Sequence, residues 1–262
     1  MDLGLRGKVA LVCGASKGIG YAAAEELARE GASVAICARD GAGIDAAAAR
    51  LAPLGANVVA FAADLSTEGG LKTAVSRVSE AFGRVDVLVT NTGGPPTAAP
   101  LAPDWAAWMG VAELLLRSAV ELTRAFVPGM RERKWGRVIG ITSLAVKQPV
   151  PGLVLSNSMR AAVTGYFRTL ADDVAADGVT VNTVLPGFTD TERLRSLADT
   201  AAKQQGGTRD AVYEKYRAAT PARRVGAPEE VAAMITFLAS TRAAFVTGQA
   251  ILVDGGAVRT LL

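Results

Sequence analysis

The sequence predicts a single doubly wound α/β domain on a sheet of seven parallel strands. Three observations predict it. Short apolar runs with strand character alternate with helical patterns along the whole chain, at the spacing of βαβ units. Some of those runs, such as VDVLVT at 85–90, are apolar almost throughout, as strands covered on both faces are. The 262 residues are 50% hydrophobic and 20% charged, enough for one sizeable core and inconsistent with disorder.

The elements follow in order. Residues 8–13 read as a first strand, and 18–30 as a helix ended by Gly31, a C-terminal stop signal. Residues 33–38 are a second strand, 41–51 a helix and 57–62 a third strand. Residues 67–82 are a helix with Glu68 favouring its first turn, and 85–90 the buried fourth strand. One long helix is expected over 104–131, with Asp104 as N-cap. A strand at 137–142, a helix at 153–176 and a strand at 180–185 follow. The stretch 189–221 is polar and reads as a lid-like insertion. Pro228 opens a helix over 228–238, and 250–253 is the last strand. No linker, repeat or low-complexity segment divides the chain, so 1–262 is one domain.

Composition excludes several functions. There is no histidine, hence no His-based triad, His general base or His metal site. Two cysteines make neither a zinc site alone nor a disulfide framework, so no metal and a reduced, cytoplasmic setting are expected. The net charge is +3, and its basic cluster (Arg131, Arg133, Lys134, Arg137) is diluted by Glu132 and Trp135. It reads as a solvated helix end and not as a nucleic-acid surface. No apolar run approaches the ~18 residues that span a membrane. Arg6 and Lys8 precede a run that passes directly into glycine-rich sequence, which suits a first strand better than a signal peptide.

The first strand ends in CGASKGIG, with glycines at 14, 18 and 20 between strand and helix. Gly14 permits a tight turn and close approach of backbone to a pyrophosphate, while the next helix offers amide donors and a positive dipole end. The strand–turn–helix context is what such a motif requires.

The spacing Gly-x-x-x-Gly-x-Gly resembles that of the short-chain dehydrogenase/reductase family, and the resemblance continues. AADLS carries the family's Asp as Asp64, NTGG at 91–94 stands for its Asn-Asn-Ala-Gly, and Pro186 and Gly187 are followed by Thr191. RVGAPEEVAAMITFLAS and VTGQAILVDGG are similar to its C-terminal signature. The chain looks most like 3-oxoacyl-carrier-protein reductases. The resemblance implies a Rossmann-type fold and a nucleotide cofactor held by Gly14, Ser16, Lys17, Gly18, Ile19, Gly20, Arg39, Asp64, Leu65, Asn91, Gly93, Arg160, Pro186, Gly187 and Thr191. Asp64 is then the adenine contact. It also implies a small carbonyl or acyl substrate and a homotetramer or homodimer built on the long helices, whose LLL at 114–116 offers apolar surface.

Charge argues for the cofactor. An acid at the end of the second strand binds a ribose 2′-hydroxyl and repels a 2′-phosphate. Here that position is Ala38, followed by Arg39, with Lys17 in the nearby loop. A cation pair without the acid suits NADP(H). Asp40, one step on, works against it.

At the catalytic positions the chain departs from the family. The family uses an Asn, a Ser, a Tyr 13 residues after the Ser, and a Lys four after the Tyr. The serine is Ser143; the counted positions of the others hold Leu115, Ser156 and Arg160. A serine hydroxyl is shorter and far less acidic than a phenol. An arginine still binds a ribose and holds charge but releases no proton. The nearest tyrosine, Tyr166, is ten residues along the same helix from Ser156, roughly 15 Å away. Replacement donors are Lys147, or Tyr213 and Tyr216 from the polar stretch, or water beside Ser143 and Ser156. The expectation is an NADP-dependent oxidoreductase of a carbonyl/alcohol pair with Ser143, Ser156 and Arg160 at its centre. The alternative is a weak or inactive nucleotide-binding protein of the same fold.

Overall fold

The structure, a computed structural model, describes residues 2–261. Its strands are β1 Val9–Cys13, β2 Ser33–Ala38, β3 Val58–Ala62, β4 Val87–Thr90, β5 Gly136–Ile141, β6 Val179–Pro186 and β7 Ala250–Val253. All pair in parallel in the order β3-β2-β1-β4-β5-β6-β7. β1 lies between β2 and β4, so the winding reverses there. In an open parallel sheet that reversal leaves a crevice at the carboxyl ends of the strands.

The helices are α1 Gly18–Arg29, α2 Gly41–Leu51, α3 Glu68–Phe82, α4 Trp105–Val111, α5 Ser118–Glu132, α6 Val154–Val174, α7 Glu192–Gln205, α8 Arg209–Ala219 and α9 Pro228–Ala239. Alternate residues of β1 feed two cores. Ala10 and Val12 pack with Leu27 of α1, Ile44 of α2 and Ile235 of α9. Leu11 and Cys13 face Leu71 of α3, Leu122 of α5 and Phe167 of α6. Period-two alternation thus delivers apolar side chains to both layers, and continuous apolar strands follow from having two covered faces.

The expected helix over 104–131 is not continuous. Asp104 caps it as expected, its carboxylate accepting from the Ala107 amide at 2.8 Å. A π-helical stretch, Ala112–Arg117, then separates α4 from α5. Ser118 Oγ occupies the Leu114 carbonyl at 2.6 Å, side-chain bonding that competes with the regular ladder. The stretch buries Leu115 in the α3–α5–α6 core, 5% exposed, while Leu114 reaches the carboxyl edge of the sheet. Leu116 also packs against that core, so the leucine run is largely covered within the chain. The exposed large side chains on this segment are Trp105 and Met109 instead.

The polar stretch 189–221 holds two helices, α7 and α8. Thr191 and Thr208 cap them, accepting from the Leu194 and Ala211 amides. Their shared core is small: Ala198, Ala202 and Val212 with Tyr213 and Tyr216. So few apolar side chains leave both helices strongly polar on average, which is why the sequence suggests only polarity there.

Candidate functional site

Six strand-end loops converge on a cleft of about 690 Å³ at the carboxyl edge of the sheet. Its first wall is the turn after β1. Gly14 has φ +59°, and a Cβ there would lie 2.8 Å from Asn91 Nδ2, which donates to the Gly14 carbonyl at 3.2 Å. A Cβ on Gly20 would lie 2.3 Å from the same carbonyl. Gly20 therefore brings α1 against the turn and is set back from the cleft surface, whereas Gly14, Ser16, Lys17, Gly18 and Ile19 line it. Lys17 occupies the N-cap of α1 without a side-chain cap. A lysine side chain cannot accept a hydrogen bond, so the first-turn amides of α1 remain available to an anion.

One end of the cleft is lined by Ala38, Arg39 and Asp40 after β2 and by Ala63, Asp64 and Leu65 after β3. The Asp64 carboxylate accepts from Ser66 Oγ at 2.7 Å and Ser66 N at 3.0 Å. The Ser66 hydroxyl, then its amide and Arg39, hold the carboxyl below its ordinary range against the effect of burial. Arg39 arches toward Gly93: a Cβ on that glycine would lie 3.4 Å from Nη2. Lys17 forms an ion pair with Glu192 at the start of α7.

The other end lies where β5 and α6 meet. Ser143 follows β5 and accepts from the Ala145 amide at 3.1 Å, leaving its hydroxyl hydrogen free to donate. Ser156, in the first turn of α6, is 8% exposed. Arg160 donates from Nε to Ser156 Oγ at 3.2 Å and from Nη1 to the Ile141 and Thr142 carbonyls at 3.0 and 2.9 Å. Burial first, and then the charge of Arg193, push its guanidinium down to about 10, so it stays cationic at neutral pH. Leu114, Leu153, Leu194 and Leu197 supply apolar wall, and Asn91, Gly93, Pro186, Gly187, Thr189 and Thr191 complete the lining between the two ends.

Residues 14–258 match the family model described as enoyl-(acyl carrier protein) reductase. The 3-oxoacyl-[acyl-carrier-protein] reductase FabG of Vibrio cholerae is 35% identical over 254 residues, 97% of this chain and 98% of that one. The chain belongs to the short-chain dehydrogenase/reductase family. A (2S)-[(R)-hydroxy(phenyl)methyl]succinyl-CoA dehydrogenase subunit, BbsC, of Thauera aromatica is 37% identical over 254 residues, covering 95% of this chain and 94% of its own. The L-sorbose reductase of Gluconobacter frateurii, solved with NADPH and L-sorbose, superposes with a TM-score of 0.94 at 36% identity over the full length of both chains.

Within that family frame, the cleft brings together the sequence-selected residues, Gly20 apart, and sorts the candidate proton donors. Tyr166 bonds Thr123 Oγ1 at 2.7 Å, away from the cleft. The Tyr213 hydroxyl donates to Asp190 at 2.9 Å, and Tyr216 stacks on Phe188 with centroids 4.5 Å apart. Lys147 lines a separate cavity of about 290 Å³ beside Arg168 and Gln249. None of the four lines the cleft, whose described lining contains no tyrosine. The leucine that reaches the cleft is Leu114, not the counted Leu115. The two leucines sit in the π-helical stretch Ala112–Arg117, where the facing of side chains departs from that of a regular helix.

The cysteines pair across β1 and β2, Cys13 opposite Cys37, both buried and free. The Cys37 thiol and burial push the Cys13 thiol well up, which makes it a small apolar side chain and not a nucleophile. Among the described residues no cluster of three or more His, Cys, Asp or Glu suits a metal, and no helix is long and apolar enough to cross a membrane.

Arg193 and Glu192 are not legible as site residues from any motif in the sequence. Both sit in the first turn of α7 and enter the lining because that helix folds back over the glycine-rich turn. The only available signal was Thr191, an N-cap type followed by a charged pair.

Proposed function

We propose that the chain is an NADP(H)-dependent oxidoreductase of a carbonyl/alcohol pair, related to 3-oxoacyl reductases but with an atypical active site. One observation carries this reading: a single cleft runs from the uncapped N-terminus of α1 to Ser143 and Ser156. The Gly14 turn supports a dinucleotide: its positive φ and the Asn91 atoms against it admit only glycine there, and Gly14 lines the cleft. Gly14, Ser16, Gly18, Ile19 and Thr191 would hold the pyrophosphate. Asp64 and Leu65 would flank the adenine, and Asn91, Gly93, Pro186 and Gly187 the ribose and nicotinamide. Lys17 and Arg39 would take the 2′-phosphate.

When bound, the nicotinamide supplies or accepts hydride. The protein's own part is then positional. Ser143 donates to the substrate oxygen, and Arg160 holds positive charge beneath it. Ser156, tied to Arg160, orients rather than protonates, so the proton comes from water. Losing a positioned general acid costs about 10²–10⁴ in rate. The segment 189–221 would act as the lid, and the setting would be cytoplasmic. A homodimer or homotetramer is part of the same reading.

A second reading, a weak or inactive nucleotide-binding protein, is favoured by the tyrosine-free lining and by the bonding of Arg160 to the Ile141 and Thr142 carbonyls. One experiment separates them: NADPH binding by calorimetry, then NADPH consumption with a panel of ketones and 3-oxoacyl thioesters. Binding with slow, substrate-dependent turnover supports the first; binding without turnover on any carbonyl supports the second; no binding rejects both.

A further inference from the structure

Two arginines face the substrate end of the cleft, and neither the carbonyl nor the phosphates account for both. Arg160 comes from α6, anchored on the Ile141 and Thr142 carbonyls and Ser156. Arg193 comes from the first turn of α7 and lies against the loop after β4. Its Nη2 donates to the Pro95 carbonyl, and a Cβ on Gly94 would lie 2.7 Å from its Nε. Both line the cleft, and Arg193 is near enough for its charge to lower the basicity of Arg160. Burial lowers that of Arg193 as well.

Among the described residues, the hydrogen bonds of both guanidinium groups go to carbonyl and hydroxyl oxygens, and neither forms an ion pair with a carboxylate. The three acids on the lining do not serve them. Asp64 is held by Ser66, Glu192 by Lys17, and Asp40 lies at the start of α2, at the other end. Two partly desolvated like charges facing one space are costly, and a shared anion offsets both.

We propose that Arg160 and Arg193 form a carboxylate-binding subsite, so that the substrate is an oxo acid or the matching hydroxy acid. This deepens the carbonyl/alcohol reading and rests on it. A carboxylate between the two guanidinium groups places an adjacent oxo group toward Ser143 and Ser156. Leu114, Leu153, Leu194 and Leu197 then receive a short alkyl chain. A cofactor phosphate is the other source of an anion. The uncapped α1 amides, Lys17 and Arg39 already offer phosphate contacts elsewhere in the cleft.

The test is calorimetric titration of acetoacetate against methyl acetoacetate, and of 2-oxobutyrate against its methyl ester, into protein with and without NADPH. The acids are expected to bind about tenfold or more tightly than the esters, as a charge-assisted pair predicts. Arg193→Gln is expected to cut that preference to under about twofold while leaving NADPH affinity within about twofold. Arg193→Lys keeps the charge and carries the test independently: it is expected to retain the preference for acids. Equal affinity for acid and ester, or binding of neither in the tens of millimolar range, overturns the proposal. So does loss of NADPH affinity in Arg193→Gln, which assigns the pair to a phosphate. Failure of the wild-type protein to bind NADPH rejects the oxidoreductase reading alone, because the titrations without NADPH still judge the subsite.

Discussion

Arg160 lies one turn beyond Ser156 on α6 and donates from Nε to its hydroxyl at 3.2 Å. The pair stands where the short-chain family resemblance places Tyr and Lys. The bond removes one acceptor site of Ser156 and ties the guanidinium to the floor of the cleft, with Nη1 on the Ile141 and Thr142 carbonyls. It is an arrangement that positions but does not titrate near neutrality.

The first prediction tests that arrangement by restoring a phenol. Ser156→Tyr with Arg160→Lys, and with Leu114→Asn as a third change, is expected to raise turnover of a 3-oxoacyl thioester by about tenfold or more, as a recovered general acid does. Leu114 is chosen because Leu115 is buried in the core, where an Asn amide would be left unsatisfied. Steady-state NADPH oxidation measures the effect. No gain in a folded triple variant would mean that the proton donor is not the limiting defect.

A second prediction concerns the excluded donors. Lys147→Ala and Tyr213→Phe are expected to change turnover by less than about tenfold, below the ~10²–10⁴ a general acid contributes. Lys147 lines the separate cavity, and Tyr213 bonds Asp190. A loss of two orders of magnitude in either, with NADPH affinity intact, would identify that side chain as the acid reaching the cleft in a closed form.

The contrast between these residues marks what was legible in the sequence. Gly14 is legible from its strand–turn–helix context, and Asp64, Asn91, Ser143 and Gly187 through the family resemblance; they share one cleft because each follows the end of a strand, and strand ends meet at one edge of a parallel sheet. Arg193 is not legible: it enters the lining only through the way α7 packs back over Gly94, a tertiary fact without a local pattern. The count back from Gly136 falls on Leu115, which the fold buries in the core, while its neighbour Leu114 lines the cleft from within the π-helical stretch Ala112–Arg117. The helices α7 and α8 read only as a polar stretch because they bury just Leu194, Ala198, Ala202 and Val212 among many charged residues.

The third prediction is a pH dependence of stability. Glu230 holds Arg224 at 2.5 and 2.6 Å and accepts from the Ala227 amide at 2.8 Å, capping α9. The Arg224 hydrogen bonds first, then the amide, lower its carboxyl from the ordinary 4.5 to about 2. The folded value lies below the unfolded one, so the contribution is complete above the unfolded value and lost as pH falls toward the folded one. The melting-temperature gap between wild type and Glu230→Gln is expected to be constant above about pH 5 and to close between about 4.5 and 2. A gap that persists unchanged at pH 2.5 would show that the carboxylate's charge is not what stabilises the cap.

The last prediction concerns cofactor choice and the ion pair between Lys17 and Glu192. Both side chains are exposed, so the pair itself adds little to stability. Its effect falls on binding. Glu192 competes with a 2′-phosphate for the Lys17 ammonium, and its carboxylate repels that phosphate while it stays nearby. Glu192→Gln is therefore expected to tighten NADPH binding by about two- to fivefold at low salt, with little change for NADH, and the gain should shrink at high salt as exposed charges are screened. Arg39→Ala is expected to do the reverse, weakening NADPH by about tenfold and leaving NADH nearly unaffected, since Arg39 follows Ala38 where an acid would otherwise read the ribose. Calorimetry with both nucleotides at two salt concentrations measures all four quantities. Equal wild-type affinities for NADPH and NADH, or parallel losses of both in Arg39→Ala, would assign the arginine to the adenine face and leave the 2′ position unread.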